Sequence, residues 1–286
     1  MSPDLRSEDL AWEMIMAKAS IHRRALGGYQ RLLRLNERKL TPPLNEWLEW
    51  TAKKLRAGLD NIHGKTPAAK AKSIADWKEI KERGAELIKP VLFEILEAGG
   101  NSVMSTRRLR KQDRFDPIGV EAVKWAESHS AELVVQITDE TMLAIRAYIT
   151  QGIKEGKSIQ KIAMELRPLV GLTERDIIAV ANYHEMLILE RPEYTAATQS
   201  EMAEVYARRL HRRRATTISR TETAFGLTEG QREGYDQMGI THLERVEDPD
   251  CCDICAEGDG RIYTIEEAEG VLPAHPNCEG SWVAVV

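Results

Sequence analysis

Cys252-Asp-Ile-Cys255 and, further on, His275-Pro-Asn-Cys278 decide how the end of this chain is read. Each is a pair of metal-type ligands separated by two residues. A tight turn across Cys-x-x-Cys points both sulfurs the same way, and Asp250 before it with Gly258 and Gly260 after it supply turn chemistry. Pro276 stiffens the second turn. Four soft or borderline ligands suit tetrahedral zinc. A segment this short cannot bury a core of its own, so the expectation is structural zinc on Cys252, Cys255, His275 and Cys278, acting as the staple of a small domain. Cys251 offers a Cys-x-x-x-Cys alternative to Cys252; the commoner spacing favours Cys252. A disulfide, a redox pair and a Cys/His nucleophile are the competing readings. The four cysteines all lie in the tail of a chain whose start, Met1-Ser-Pro-Asp-Leu-Arg, has no apolar stretch of a secretory leader, which favours a metal over a disulfide framework. A redox pair needs a strand–helix context absent here, and a nucleophile pair leaves two thiols unexplained.

Working outward, residues 240–246 alternate as a strand does, 261–264 form a second short strand, and 281–286 a third. Thr264 with Glu267 matches a capping box. Everything upstream reads as helix. Leu10, Met14, Ala17 and Ile21 share one face. Breaks are expected at Gly27-Gly28, at Thr41-Pro42-Pro43 and at residues 64–67, with a kink or restart at Pro90 and an end at Gly99-Gly100. Residues 101–117 read as a polar, basic loop or arm. A helix is expected over 118–132, then another capped by Thr138, a short one capped by Ser158, one opened by Thr173 with Asp176 and closed by Pro192, and a long polar helix over 196–239. The expected fold is therefore mainly α with a small α+β C-terminal domain. An elongated helical N-terminal and middle region precedes a short antiparallel sheet pinned by the Cys/Cys/His/Cys zinc site. The expected domains are 1–114, a helical arm or docking region; 115–239, a helical middle; and 240–286, the zinc-stapled unit.

The net charge of -5 argues against an overall electrostatic grip on nucleic acid. No apolar run approaches the roughly 20 residues of a membrane span, so no membrane partner is expected. Charge is nevertheless uneven. Arg107, Arg108, Arg110 and Lys111 form one basic run, and Arg208, Arg209, Arg212, Arg213 and Arg214 a second. Such runs are solvated helix faces or contacts for DNA or an acidic partner protein. No aromatics interleave them as a single-strand stacking platform would require. Gly152-Ile-Lys-Glu-Gly156-Lys157-Ser158 is one residue short of a phosphate-binding loop, and His184-Glu185 lacks the second His of a zinc-protease helix, since position 188 is Ile. Arg220 and Glu222, two apart, do not face each other on a helix, so each needs a partner elsewhere. They are expected to anchor the long helix to the C-terminal domain; a catalytic or ligand contact is the alternative.

Arg220-Thr-Glu222-Thr, Gly239 before a strand, Asp248 ahead of Cys252-x-x-Cys255, Gly260, and Ala274-His275-Pro-Asn-Cys278, in this order, resemble the phage head-morphogenesis family, the Mu F-like minor head proteins. Phe115-Asp116, Ile137-Thr138, Gly156-Lys-Ser158-Ile159, Arg167, Gly171-Leu172 and Asn182-Tyr183 extend the likeness, which covers roughly residues 115–280. Where the family often ends His-Pro-Asn-Cys-Arg-Cys, this chain has Glu279-Gly280 after Cys278. The resemblance implies a non-enzymatic minor capsid protein of a tailed phage or prophage, acting at the portal vertex during procapsid assembly. It implies the portal protein, the major capsid or scaffolding protein and double-stranded DNA as partners. The implied location is the virion, in the capsid interior or at the portal vertex, after assembly in the host cytoplasm. The alternative is a phage-encoded group-transfer or nuclease-type enzyme using Arg220 and Glu222 beside the zinc.

Overall fold

A computed structural model describes residues 3–104, 115–117 and 119–285, with side chains from residue 16 on. The first basic run, Arg107, Arg108, Arg110 and Lys111, lies outside the described residues. The elements in order are α1 (Pro3–Gly58), a 3-10 turn (Leu59–Asn61), α2 (Pro67–Ser73), α3 (Trp77–Met104), α4 (Val120–Lys154), α5 (Ile159–Leu166), α6 (Glu174–Glu190), α7 (Ala196–Gln237), β1 (His242–Val246), α8 (Asp253–Gly258), β2 (Ile262–Thr264) and β3 (Ser281–Ala284). The fold is mostly helical with a small antiparallel sheet at the C-terminus.

Several helix starts and stops follow the local chemistry. Ser158 accepts from the Lys161 amide at 3.2 Å and Thr173 from the Asp176 amide at 3.2 Å, each satisfying an orphan donor of a first turn. Thr66 caps α2 in the same way, with Pro67 in the first turn where its missing N–H costs nothing. After α4 and α7 the chain turns through Gly156 (φ 72°) and Gly239 (φ 73°). The paired reverse bonds Lys157 N to Gly152 O (2.9 Å) and Ile240 N to Tyr235 O (3.0 Å) close both ends.

The expected internal breaks correct themselves. Gly27-Gly28 and Pro42-Pro43 lie inside the continuous α1, Pro90 inside α3, and Thr138 inside α4. A helix-interior proline costs about 3 kcal/mol, mainly through one lost backbone bond. Fully burying a Leu or a similar side chain returns about 1.5–3 kcal/mol. Leu33 and Leu40 before the prolines, and Leu44, Trp47 and Leu55 after them, are all buried, so burial carries α1 through. Thr138 does not cap a start. Its hydroxyl donates to the Val134 carbonyl at 2.7 Å, satisfied within the helix.

Two compact units emerge. The first comprises residues 1–40, 91–126 and 219–286; the second comprises 41–90 and 127–218. The second is helical throughout. Its core includes Leu44, Trp47, Leu55, Ile80 and Ile88, and the Trp47 indole donates to the Ile80 carbonyl at 2.9 Å. Gly84 leaves room for that indole, since a Cβ there would sit 2.6 Å from it.

The first unit holds the sheet, ordered β2-β1-β3 with both pairings antiparallel. The central β1 pairs Leu243 with Tyr263 and, on its other edge, with Ala284. Leu243, Ile265, Leu272 and Trp282 share one core with Leu96 and Val103 of α3 and Tyr235 of α7. The residues after Ile240 therefore bury an apolar core jointly with helices.

Gly99-Gly100 does not end α3, and the reason is packing. A Cβ on Gly99 would lie 2.3 Å from the Leu227 carbonyl oxygen, and one on Gly230 only 2.0 Å from that of Leu96. Gly234 faces Gly100 in the same way, and Gly226 faces Ile95. These glycines let the α3 and α7 backbones approach almost to contact. Gly230→Ala should therefore destabilise the protein by at least the 1–3 kcal/mol or so typical of overpacking, because backbone rather than a mobile side chain must move. Gly27→Ala, with nothing within 4 Å of the new methyl group, should stabilise by about 0.5–1 kcal/mol. Denaturant midpoints for the two variants check this, and equal, small effects would contradict the close approach.

Candidate metal centre

The sulfur-bearing segment begins with a turn in which Asp248 accepts from the Asp250 amide at 3.0 Å through its side chain and from the Cys251 amide at 3.0 Å through its carbonyl. Cys252 then sits at the N-cap of the short α8, exposed, while Cys255 lies one turn further and is buried. The second half-site is also a turn. The Cys278 amide donates to the His275 carbonyl at 3.0 Å, and Asn277 takes a left-handed φ of 64°, which asparagine tolerates. Cys278 is buried.

These two turns meet. The His275 Nε2 atom is 3.2 Å from the Cys252 sulfur and 3.0 Å from that of Cys255, and the Cys255 and Cys278 sulfurs are 3.6 Å apart. Around a tetrahedral ion with zinc bond lengths, ligand atoms are separated by about 3.6 Å for N to S and about 3.8 Å for S to S. Three of the six separations are therefore near those around a single ion, whereas Cys278 does not lie within 4.8 Å of both Cys252 and His275. His275 Nδ1 lies 2.9 Å from the Pro276 carbonyl, and a proton there leaves the Nε2 lone pair facing the thiols. Two overlapping ligand groups result, Cys252 with Cys255 and His275, and Cys255 with Cys278 and Glu247. Among the described residues Cys251 joins neither group.

Thiol chemistry differs across the cluster. The backbone amide of Cys255 stabilises the thiolate of Cys252 and holds that thiol below its ordinary pKa. Burial, then the neighbouring Cys278, pushes Cys255 well up. Behind the sulfurs lies a buried ion pair, Arg245 Nε donating to Glu247 Oε1 at 2.6 Å. Two glycines frame it. A Cβ on Gly258 would lie 2.3 Å from the Arg245 guanidinium, and one on Gly280 would lie 2.4 Å from the Glu247 carboxylate. Sequence reasoning missed this pair. The period-two alternation of β1, continued one residue past Val246, puts positions 245 and 247 on the same face and was the available signal.

Helix α7 presents a polar stripe to this tail. Thr221 Oγ1 accepts from the Asn277 amide at 3.2 Å, and the Thr228 hydroxyl donates to the Leu272 carbonyl at 3.0 Å. Gln231 Oε1 accepts from both the Ser281 hydroxyl (3.2 Å) and the Trp282 amide (3.3 Å). Arg220 forms an ion pair with Glu279, the residue standing where the family often has Arg. Glu222 is buried on the same turn. The second basic run divides. Arg214 is buried, donating to Glu140 at 2.9 Å and to the Gly171 carbonyl at 2.5 Å, so it is no surface contact. Arg213 pairs with Asp176 at 3.0 Å and Arg208 with Glu204 at 3.7 Å, whereas Arg209 and Arg212 are exposed. Gln231→Ala should cost about 1–3 kcal/mol, because it leaves the buried Trp282 amide without its partner. Guanidinium unfolding followed by Trp fluorescence measures it, and a loss below about 0.5 kcal/mol would show that the stripe does not hold the tail.

No described helix is long and apolar enough to cross a membrane. No curated protein and no solved structure was found to match the chain. A family model described as Phage Mu protein F like protein matches residues 144–282, a stretch that includes all four candidate ligands and the Arg220-Thr-Glu222 motif. That family is a structural, head-morphogenesis one rather than a family of enzymes. Residues 144–282 of this chain are thus similar to the phage Mu protein F like, head-morphogenesis family.

Proposed function

We propose that the protein is a minor capsid component of a tailed phage or prophage, acting at the portal vertex while the procapsid assembles, and that its C-terminal cluster holds a structural zinc ion. The family match carries the first part. The close approach of His275 to Cys252 and Cys255, and of Cys278 to Cys255, supports the second. Cys252, Cys255, His275 and Cys278 would hold the ion and cross-link the turn before α8 to the turn at 275–278. With four protein ligands the ion would have no position open to water, which suits a staple rather than a catalyst. Arg220 and Glu222 would serve as anchors of α7 to that tail, the first through its pair with Glu279.

Docking on large partners suits the second unit. Met164 of α5 and Ile188 of α6 are half or more exposed and line one surface recess, which a protein partner would cover. The portal protein and the major capsid or scaffolding protein are the partners proposed. Arg209 and Arg212 remain available for packaged double-stranded DNA, a contact that would weaken steeply with salt.

Two measurements test these readings. Co-sedimentation with the portal ring of the same phage should give a discrete complex that survives high salt, because apolar burial is not screened. Absence of a complex at any salt would remove the portal role. For the metal, the purified protein should retain zinc, Cys252→Ser should release it, and Cys251→Ser should not. Chelation should also alter the near-UV circular dichroism of the Tyr263–Trp282 edge-to-face pair, whose centroids lie 5.6 Å apart. Equal zinc loss in the two serine variants would reassign the ligand set.

A further inference from the structure

Helices α4 and α6 of the second unit bound an open recess of about 700 Å³ that the head-assembly reading does not use. A helical row lines each side. Leu143, Ala147, Thr150 and Lys154 follow one another along α4 at spacings of four, three and four, and Glu174, Ile178 and Ala181 along α6 at four and three. Leu143 is 57% and Ile178 52% exposed, while Ala144 and Ile177 beside them are buried. Ala147 and Ala181 keep the middle of the recess shallow-walled, which lets a helix lie along it.

The rim is basic. Lys157 pairs with Glu155 at 3.0 Å and with Glu165 at 2.8 Å, so Glu155 is already neutralised. Arg146 and Lys154 line the recess, are exposed, and have no ion pair among the described residues, against Glu174 as the remaining carboxylate.

The start of α1 has the complementary character. Its first residues carry Asp4, Glu8, Asp9 and Glu13 against Arg6 alone, and Leu10, Met14, Ala17 and Ile21 recur in the sequence at the same four, three and four spacing as the α4 row. Where its side chains are described, Met16, Ala17 and Ile21 are exposed. Lys18 and His22, on another face, are tied to Glu244 of β1 at 2.8 and 3.4 Å. The helix is thus anchored on one face and bare on the other.

We propose that the start of α1 from one copy of this chain docks into the α4–α6 recess of a second copy. The carboxylates of the incoming helix meet Arg146 and Lys154, and its apolar row covers Leu143 and Ile178. The two surfaces differ, so the contact is head-to-tail: it makes a ring where the rotation closes and an open string of copies where it does not. The contact does not depend on the portal role.

Sedimentation velocity of the full chain across the micromolar range tests this. Wild type should associate as concentration rises. Ile178→Glu and Ile21→Glu, at half-exposed positions, should keep the wild-type helical content and melting temperature and each weaken association by at least about tenfold. Arg146→Glu, on the exposed rim, should weaken it at low salt and less so at high salt, where the charges are screened. A mixture then reads the geometry. Ile21→Glu keeps the recess and Ile178→Glu keeps the arm, so the two together should form a 1:1 dimer that neither forms alone. Wild type that stays monomeric throughout would overturn the proposal, as would association that Ile178→Glu and Arg146→Glu leave unchanged, or a mixture that stays monomeric. A monomeric wild type that binds the portal ring, and loses that binding on Ile178→Glu, would give the recess to the portal protein instead.

Discussion

The near-contact of the α3 and α7 backbones is the constraint on which the rest of the first unit depends. It places Gly99 under Leu227 and Gly230 under Leu96, so no side chain separates the two helices there. Once α7 is held this close, the stripe at Thr221, Thr228 and Gln231 is directed at the tail at helical spacing. The sheet then needs no second layer of its own. Leu243 and Trp282 complete a core already half built by Leu96, Val103 and Tyr235.

The ligand cluster inherits its rigidity from that arrangement. Asn277 is fixed by Thr221, Cys278 is buried beside Cys255, and the Arg245–Glu247 pair backs both. A buried ion pair is weak evidence for stability, since desolvation offsets much of the attraction. Its effect here is one of shape. Gly258 and Gly280 yield the space their side chains would occupy, so the two charges sit where apolar packing would otherwise bring the loops together. Tyr29 of α1 adds a buried hydroxyl without a partner among the described residues, its ionisation opposed first by burial and then by Cys278, Glu279 and Glu247.

What could be read in the sequence follows from the range of each interaction. Caps act within one turn, so Ser158, Thr173 and the Thr264–Glu267 box were legible and are formed, the last with bonds of 3.0 and 3.2 Å although the turn it closes is not a regular helix. The paired spacing of Cys252 with Cys255 and of His275 with Cys278 is equally local. Gly99-Gly100 and Pro42-Pro43 misled because their meaning is set by distant partners, and Thr138 because a threonine hydroxyl can bond back to the carbonyl four residues earlier as well as cap a start. A glycine at a helix crossing and a glycine at a helix end are identical until the crossing is seen. The polar stripe of α7 carries no local signal for the same reason, as its acceptors and donors lie in a segment some fifty residues later, as with Gln231 and Trp282.

The order of the compact units along the chain also bears on synthesis. The second unit, residues 41–90 and 127–218, is complete in sequence well before the chain ends, whereas the first joins residues 1–40 to residues 219–286. The contact of Gln30 with Asp248 spans 218 positions. Until β3 is made, Leu96 and Val103 of α3 lack the Trp282 side chain with which they share a core. Closing so long a loop is slow, and exposed apolar surface during that wait invites association with other chains. The emerging protein is therefore most in need of a chaperone, or of a waiting assembly partner, in the interval between making Gln30 and making Trp282.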